Sequence, residues 1–186
     1  MSTNNARPVS RLVLGTAQLG MPYGIANHTG QPDQELANDI LATAWEHGIR
    51  TLDTAQAYGD SEIVIGNFLK SHPQYPFDII TKLAAEVEIA SSASITAAIL
   101  ASTERLGQMP LALFLHTYDQ LAHWEDILGK TLISLKRQNK FGHLGISVYQ
   151  PDEFRDAIAH SEVAWVQAPL NAFDQRLVGQ GLLEEA

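Results

Sequence analysis

The strongest constraint on the fold is an alternation that recurs along nearly the whole sequence. A short apolar run typical of a buried strand is followed by a longer segment whose apolar residues have helical spacing. Such runs suit parallel strands that are covered on both faces, and the pattern predicts an α/β fold with right-handed crossovers and a parallel sheet. The predicted strands are 11–17, 49–54, 78–83, 111–116, 143–149 and 163–170, and the predicted helices are 33–47, 61–70, 92–106, 124–138 and 151–160.

Polar residues with chemical potential follow several different strands, which favours a barrel over a doubly wound sheet. Asp53 ends one apolar run, Lys82 ends the run DIITK and His116 ends the run LALFLH. Tyr58 follows Asp53 by five residues, in a turn marked by Gly59. A phenol has a pKa of roughly 10, and cations nearby lower it. Three strand ends therefore offer an acid, a cation and an imidazole around one tyrosine.

Each of these residues also has an ordinary structural interpretation. An isolated Asp53 would form a turn or a helix cap, Tyr58 would pack half-buried, Lys82 would be a solvated charge and His116 would lie at the rim of a core. Their joint occurrence at successive strand ends favours the functional interpretation.

Composition excludes several classes of protein. The 186 residues are 45% apolar, so one domain over 11–186 is expected after a disordered polar leader over 1–10. The formal net charge of -9 argues against nucleic-acid partners and anionic membranes. There is no cysteine, and the seven histidines form no HxH or HxxxH pair, so a metal site is not expected. Without a signal-peptide pattern or an apolar run of ~20 residues, the chain is predicted to be cytoplasmic.

The ordered set of Asp53, Tyr58, Lys82 and His116 resembles the tetrad of the aldo-keto reductase superfamily. The segments LGTAQLG at 14–20, YGDSE at 58–62 and GHLGISVY at 142–149 are also similar to segments of that family, and the resemblance extends over about 11–176. It implies a parallel (β/α)8 TIM-barrel type of fold, of which this chain would contain about six strands.

The resemblance also implies a reaction. A hydride from NADPH, or from NADH, would reduce the carbonyl of an aldehyde, ketone or sugar while Tyr58 donates a proton to the oxygen. Lys82 would lower the pKa of Tyr58, Asp53 would hold Lys82 and keep it charged, and His116 would orient the carbonyl.

Five residues match cofactor contacts of the family: Gly15, Thr16, Asp53, Ser147 and Gln167. Ser147 and Gln167 would hold the nicotinamide carboxamide. Ser147 is followed by Val148 where the family commonly has Asn, so one contact is either lost or supplied by Gln167 or Asn171. The alternatives are a turn-forming role for Ser147 and a strand-end role for Gln167.

Two loops offer aromatic surface for a substrate pocket, and packing is the alternative role for these side chains. The residues concerned are Met21, Pro22, Tyr23, Tyr118, His123 and Trp124.

The pattern reaches Ala186 within what would be a sixth long helix, so strands seven and eight are not expected in this chain. In barrels, loops after those strands frequently bind phosphate. The chain is then expected to be a fragment of a longer reductase, to be completed by a partner or by another copy in a homo-oligomer joined through open sheet edges, or to be a non-catalytic scaffold or assembly protein.

Overall fold

The computed structural model describes residues 11–186, and the predicted leader over 1–10 lies outside this range. Its centre is one sheet of six parallel strands whose order in space is their order in sequence. This confirms the predicted α/β class. The strands are β1 (Val13–Gly15), β2 (Thr51–Asp53), β3 (Asp78–Leu83), β4 (Ala112–Leu115), β5 (His143–Ser147) and β6 (Trp165–Gln167).

Helices connect every pair of successive strands, as the apolar spacing predicts. They are α1 (Ala17–Gly20), α2 (Gln34–Glu46), α3 (Ser61–Ser71), α4 (Ser92–Leu106), α5 (Tyr118–Ala122), α6 (Ile127–Arg137), α7 (Pro151–Ala159), α8 (Arg176–Gly179) and α9 (Leu182–Glu185). The helix predicted to start at Trp124 begins only at Ile127. Backbone bonds from Trp124 to Leu121 and from Asp126 to His123 form tight turns in between, which separate it from the short α5.

The long helices cover the convex face of the sheet and form the main core there. Leu52 and Ile79 are fully buried in one cluster with Leu41 of α2 and Phe68 of α3. A second, larger cluster joins β4 and β5 to α4, α6 and α7. Burial of these apolar side chains supplies the main driving force for packing helices on the sheet, at about 25 cal/mol per Å².

Three apolar residues of these helices, whose helical spacing alone would place them on the face towards the sheet, are exposed instead. Leu36 and Ile40 of α2 lie beside β1, where the described chain has no further strand to cover them, and Leu36 is 53% exposed. Ile127, at the first position of α6, is also exposed. Helical spacing correctly predicts the helices, but it does not show whether a neighbouring strand or helix covers the apolar face of each one.

The sheet curls strongly, so its concave face forms part of a barrel interior. Gln167 at the end of β6 donates a hydrogen bond of 3.1 Å to the carboxylate of Asp53 at the end of β2, although three strands lie between them in the sheet. Below this contact, Ile80, Phe114 and Trp165 pack together on the same face. Gly145 makes room for the ring of Phe114, because a Cβ at this position would overlap it.

The curled sheet is open at both sides within residues 11–186. There β1 pairs only with β2, and β6 only with β5. No helix of the described chain is long and apolar enough to cross a membrane.

Candidate active site

The predicted site residues meet at one end of the curled sheet. Because side chains alternate between the two faces of a strand, the last inward-facing residue of each strand reaches the same rim. These rim residues are Gly15, Asp53, Lys82, Ser147 and Gln167, and His116 follows β4 directly.

Lys82 is the central group of this rim. It is 1% exposed, and its ammonium nitrogen lies 2.5 Å from Asp53 Oδ1. It also donates to the backbone carbonyl of Thr54 and to the hydroxyl of Tyr58, both at 3.3 Å. A buried charge is stable only when its partners replace water. These three oxygens satisfy that requirement and bring the phenol beside the ion pair.

The loop that presents Tyr58 is held by its backbone and by two glycines. Tyr58 forms a tight turn through bonds from its amide to Ala55 and from Ser61 to its own carbonyl. The amide of Asp60 donates to the carbonyl of Gly20 in α1. A Cβ at Gly20 would overlap the backbone of Tyr58 and Ser61, and one at Gly59 would overlap that of Gly20. This close approach fixes the distance between the loops after β1 and β2.

A fully buried group of three hydroxyls joins the same loops. Thr16 donates to the backbone carbonyl of Asp53 at 2.9 Å. Ser61 lies 2.9 Å from both the Thr16 hydroxyl and the Thr54 hydroxyl. The Thr16 side chain is therefore engaged within the protein. Its role as a cofactor contact stays a prediction, since the Thr16 hydroxyl proton is already donated to Asp53.

Sequence reasoning missed Thr54 and Ser61 as supports of the site. Ser61 is the first residue of α3, directly after the N-cap residue Asp60, so its place in the sequence indicates no more than the start of a helix. Only its long-range contact with Thr16, 45 residues away in sequence, shows its role.

The pKa of Tyr58 is raised from 10.0 to about 12, first by burial and then by the negative charge of Asp53 and the nearby Tyr23. The net shift is therefore a rise, where the sequence predicted a lowering by Lys82. Lys82 is neutralised by Asp53 at 2.5 Å, so it does not outweigh the burial of the phenol. Tyr58 is consequently protonated at neutral pH and carries a proton that it can donate.

His116 lies next to Tyr58, with ring centroids 5.8 Å apart and the ring planes at 83°. Burial and the charge of Lys82 lower its pKa below 6.5, while Glu86 and Asp53 oppose this shift more weakly. The imidazole is therefore neutral near pH 7. A neutral imidazole can donate one hydrogen bond to an oxygen atom without adding a charge.

Tyr58 and His116 face an open cleft of about 250 Å³. Its other walls come from the ends of β5 and β6, including Ser147, Tyr149 and Gln167. A cleft with a phenol and an imidazole on one side and hydroxyl and amide groups opposite is suited to hold a small polar molecule between them.

The predicted cofactor residues differ in whether their hydrogen-bonding groups are already used within the protein. The Ser147 hydroxyl has no hydrogen-bond partner among residues 11–186, and it lines the cleft. Gln167 keeps its amide oxygen free of bonds within the described chain while its nitrogen contacts Asp53. No atom lies within 4 Å of a Cβ built at Gly15. Asn171 accepts bonds from Phe173 and Asp174, so its oxygen is used in a turn.

The predicted aromatic walls divide between the cleft and the core. Tyr23 lies close enough to Tyr58 to influence its pKa. Trp124 is buried against His160, with centroids 4.8 Å apart, so it is a packing residue. Tyr118 donates to Asp156 at 2.6 Å, and His123 lies beside Asp126. For Trp124, the alternative role of a packing residue is therefore the correct one.

Groups of three or more His, Asp or Glu that could hold a metal ion do not occur in the described part of the chain.

Comparison with known proteins places these features in one family. The model of the aldo/keto reductase family matches residues 11–185. D-arabinose 1-dehydrogenase of Saccharomyces cerevisiae is 34% identical over 154 residues, which cover 77% of this chain and 44% of the relative. NADH-specific methylglyoxal reductase of Escherichia coli is 25% identical over 196 residues, covering 91% and 57%. The chain thus spans about half the length of these curated relatives.

Solved structures show the same architecture. A crystal structure of a Pseudomonas aeruginosa protein assigned to the aldo-keto reductases superposes with a TM-score of 0.79 and 27% identity, covering 97% of this chain and 73% of that one. A glycerol dehydrogenase from Gluconobacter oxydans gives a TM-score of 0.71 at 25% identity, covering 92% and 55%. The prediction of a partial (β/α)8 barrel is therefore confirmed.

Proposed function

Since the chain belongs to the aldo/keto reductase family, we propose that residues 11–186 form the catalytic part of an NADPH-dependent oxidoreductase that reduces an aldehyde or ketone to an alcohol. The observation that supports this best is the contact of the Tyr58 hydroxyl with Lys82, itself paired with Asp53, beside His116 in an open cleft. Bound NADPH would supply the hydride.

Tyr58 would act as the general acid. It is protonated, and its hydroxyl faces the cleft in which the carbonyl oxygen would lie. As the carbonyl carbon accepts the hydride, negative charge grows on the oxygen, and the phenol transfers its proton to that oxygen. Lys82 would stabilise the resulting phenolate at 3.3 Å, since an ammonium group next to a phenolate favours its charged form. Solvent then returns a proton to Tyr58.

His116 would hold the carbonyl in place for this transfer. A neutral imidazole adds a hydrogen bond to the oxygen without competing as an acid. Asp53 would keep Lys82 charged and fixed.

Ser147, Gln167 and Gly15 would bind the nicotinamide end of the cofactor. The unpartnered Ser147 hydroxyl and the free Gln167 amide oxygen offer a donor and an acceptor to a carboxamide, and open space beside Gly15 allows a ligand to approach the backbone. Asp53 and Thr16 would belong to the cofactor site through their places at the ends of β2 and β1. NADH is the competing cofactor, because the Escherichia coli relative is a reductase described as NADH-specific.

The relatives also suggest a substrate class. One is named for a pentose and another for methylglyoxal, so small polar carbonyl compounds are the first candidates for the cleft.

Nucleotide fluorescence tests the cofactor assignment. Titration with NADPH and with NADH should show saturable binding, tighter for NADPH. Gly15→Ala should weaken binding about tenfold, or ~1.4 kcal/mol, because its methyl group enters the space left for the ligand, while thermal stability is kept. Equal affinity in parent and Gly15→Ala would contradict a nucleotide at this position.

An assembly role without turnover is the second candidate. It is favoured by apolar side chains exposed along both open sides of the sheet, such as Leu36 near β1 and Phe173 after β6. In a scaffold, Tyr58→Phe would leave association unchanged and no nucleotide would bind.

A further inference from the structure

Gln120 is a buried amide placed between the two strand ends that carry Lys82 and His116. It lies in α5, after β4, and only 3% of it is exposed. Its side-chain oxygen accepts bonds from the backbone amides of His116 at 2.7 Å and Thr117 at 3.2 Å. Its nitrogen donates to the carbonyls of Leu83 at 3.4 Å and Ala84 at 3.2 Å, directly after Lys82.

Helix capping explains only one of these four contacts. In a capping box, the side chain at the third helical position accepts a bond from the N-cap amide, which here is that of Thr117. The bond from His116 and the two bonds to β3 are additional. They link neighbouring strands at the rim, where the sheet itself has ended at Leu115 and Leu83.

We propose that Gln120 is a positioning residue that sets the place of His116 relative to Lys82. This deepens the proposed function and rests on it, because His116 matters there as the group that holds the carbonyl. Among residues 11–186 the backbone amide of His116 forms no other hydrogen bond, so the Gln120 side chain is its anchor where the chain leaves β4. The His116 ring itself is left free to face the cleft.

The charged and titratable groups around His116 are distinct from this amide. Lys82 and Asp53 approach from β3 and β2, Glu86 from the loop after β3, and Tyr58 from the loop after β2. The hydrogen bonds of the Gln120 side chain are all with backbone atoms. A change at Gln120 therefore reaches His116 through position rather than through charge.

The test compares Gln120→Met, which keeps the length of the side chain but none of its hydrogen bonds, with Gln120→Asn, which keeps the amide on a shorter arm. Gln108→Met and Gln108→Asn are matched controls. Gln108 donates to the carbonyl of Phe77 at 2.9 Å, just before β3 begins and so at the opposite end of the barrel. The pKa of His116 is measured by NMR titration of the ring, together with NADPH affinity and turnover.

In Gln120→Met, the pKa of His116 should rise towards 6.5, because the displaced ring regains water. Turnover should fall by about tenfold to 100-fold, the size expected for a misplacement near 1 Å, with NADPH affinity kept. Gln120→Asn should lie between this variant and the parent. The Gln108 controls should lose stability without moving the His116 pKa.

Two results separate this inference from the proposed function. If the parent shows no turnover, the function fails, but the NMR titration still decides the role of Gln120. If both foldable Gln120 variants give the same His116 pKa and turnover as the Gln108 controls, Gln120 is an ordinary capping residue. Should Gln120→Met not fold, the comparison of Gln120→Asn with Gln108→Asn decides.

Discussion

At the scale of single residues, a buried lysine and a half-buried phenol determine the chemistry available. Lys82 is satisfied by Asp53, Thr54 and Tyr58, so its charge is fixed beside the phenol. Spacing in the sequence predicts that Asp53, Lys82 and His116 lie at strand ends, and the structure brings them together. The spacing of residues could not predict the direction of the Tyr58 pKa shift. That direction depends on how deeply the phenol is buried and on the negative charge of Asp53, which offsets the charge of Lys82.

The raised Tyr58 pKa predicts a loss of stability at alkaline pH. Its folded pKa of about 12 exceeds 10.0, so the unfolded chain releases this proton first as pH rises. The contribution is complete below pH 10 and is lost on approaching pH 12. After allowance for solvent screening, it amounts to about 1–2 kcal/mol. Urea unfolding at pH 9 and pH 11 should therefore show a larger loss of unfolding free energy in the parent than in Tyr58→Phe; identical losses would contradict the shift.

At the scale of elements, long segments are predictable and short ones are not. The five helices of nine or more residues follow from apolar spacing, because that pattern needs two or more turns to show. The four-residue α1 and the five-residue α5 are too short to show it. Yet α1 supplies Gly20 and α5 supplies Gln120. These supports act through contacts distant in sequence, which local patterns do not contain.

The contact between α1 and the Tyr58 loop predicts a strong effect of Gly20→Ala. The added methyl group would overlap the backbone of Tyr58 and Ser61, and the required shift should cost about 1–3 kcal/mol and displace the phenol. Gly179→Ala is the control, because nothing lies within 4 Å of that position. Chemical denaturation should show a clear loss for Gly20→Ala and a change within about 1 kcal/mol for Gly179→Ala. Equal effects would show that the two loops do not approach closely.

At the scale of the whole molecule, the described chain is a curled, open sheet rather than a closed barrel. The alternation of strands and helices predicts the α/β class and the parallel sheet, and the polar strand ends together with the family resemblance predict the barrel type. The number of apolar runs in the sequence also predicts six strands and a sheet with two open edges, and the described structure has both. The helical spacing of Leu36 and Ile40 is that of core residues, yet both are exposed, because the pattern cannot show that α2 lacks a neighbour beyond β1.

Open parallel edges with apolar neighbours predict self-association. Leu36→Lys with Phe173→Lys places one charge near each open side, at exposed positions that support no described core cluster. Light scattering across a concentration series should show a mass that rises with concentration in the parent and stays monomeric in the double variant. Ile63→Lys on α3, also exposed, is the control and should behave as the parent. A monomeric parent at all concentrations would contradict the prediction.

The most direct test of the central claim is NADPH consumption, followed at 340 nm with a panel of small aldehydes, ketones and sugars, in the parent and in Tyr58→Phe. If Tyr58 is the proton donor, the parent turns over at least one carbonyl substrate, and Tyr58→Phe binds nucleotide normally but loses turnover by about 100-fold or more. Turnover in Tyr58→Phe equal to that of the parent would contradict the account, and nucleotide binding without turnover of any substrate in the parent would leave a binding protein in place of the proposed reductase.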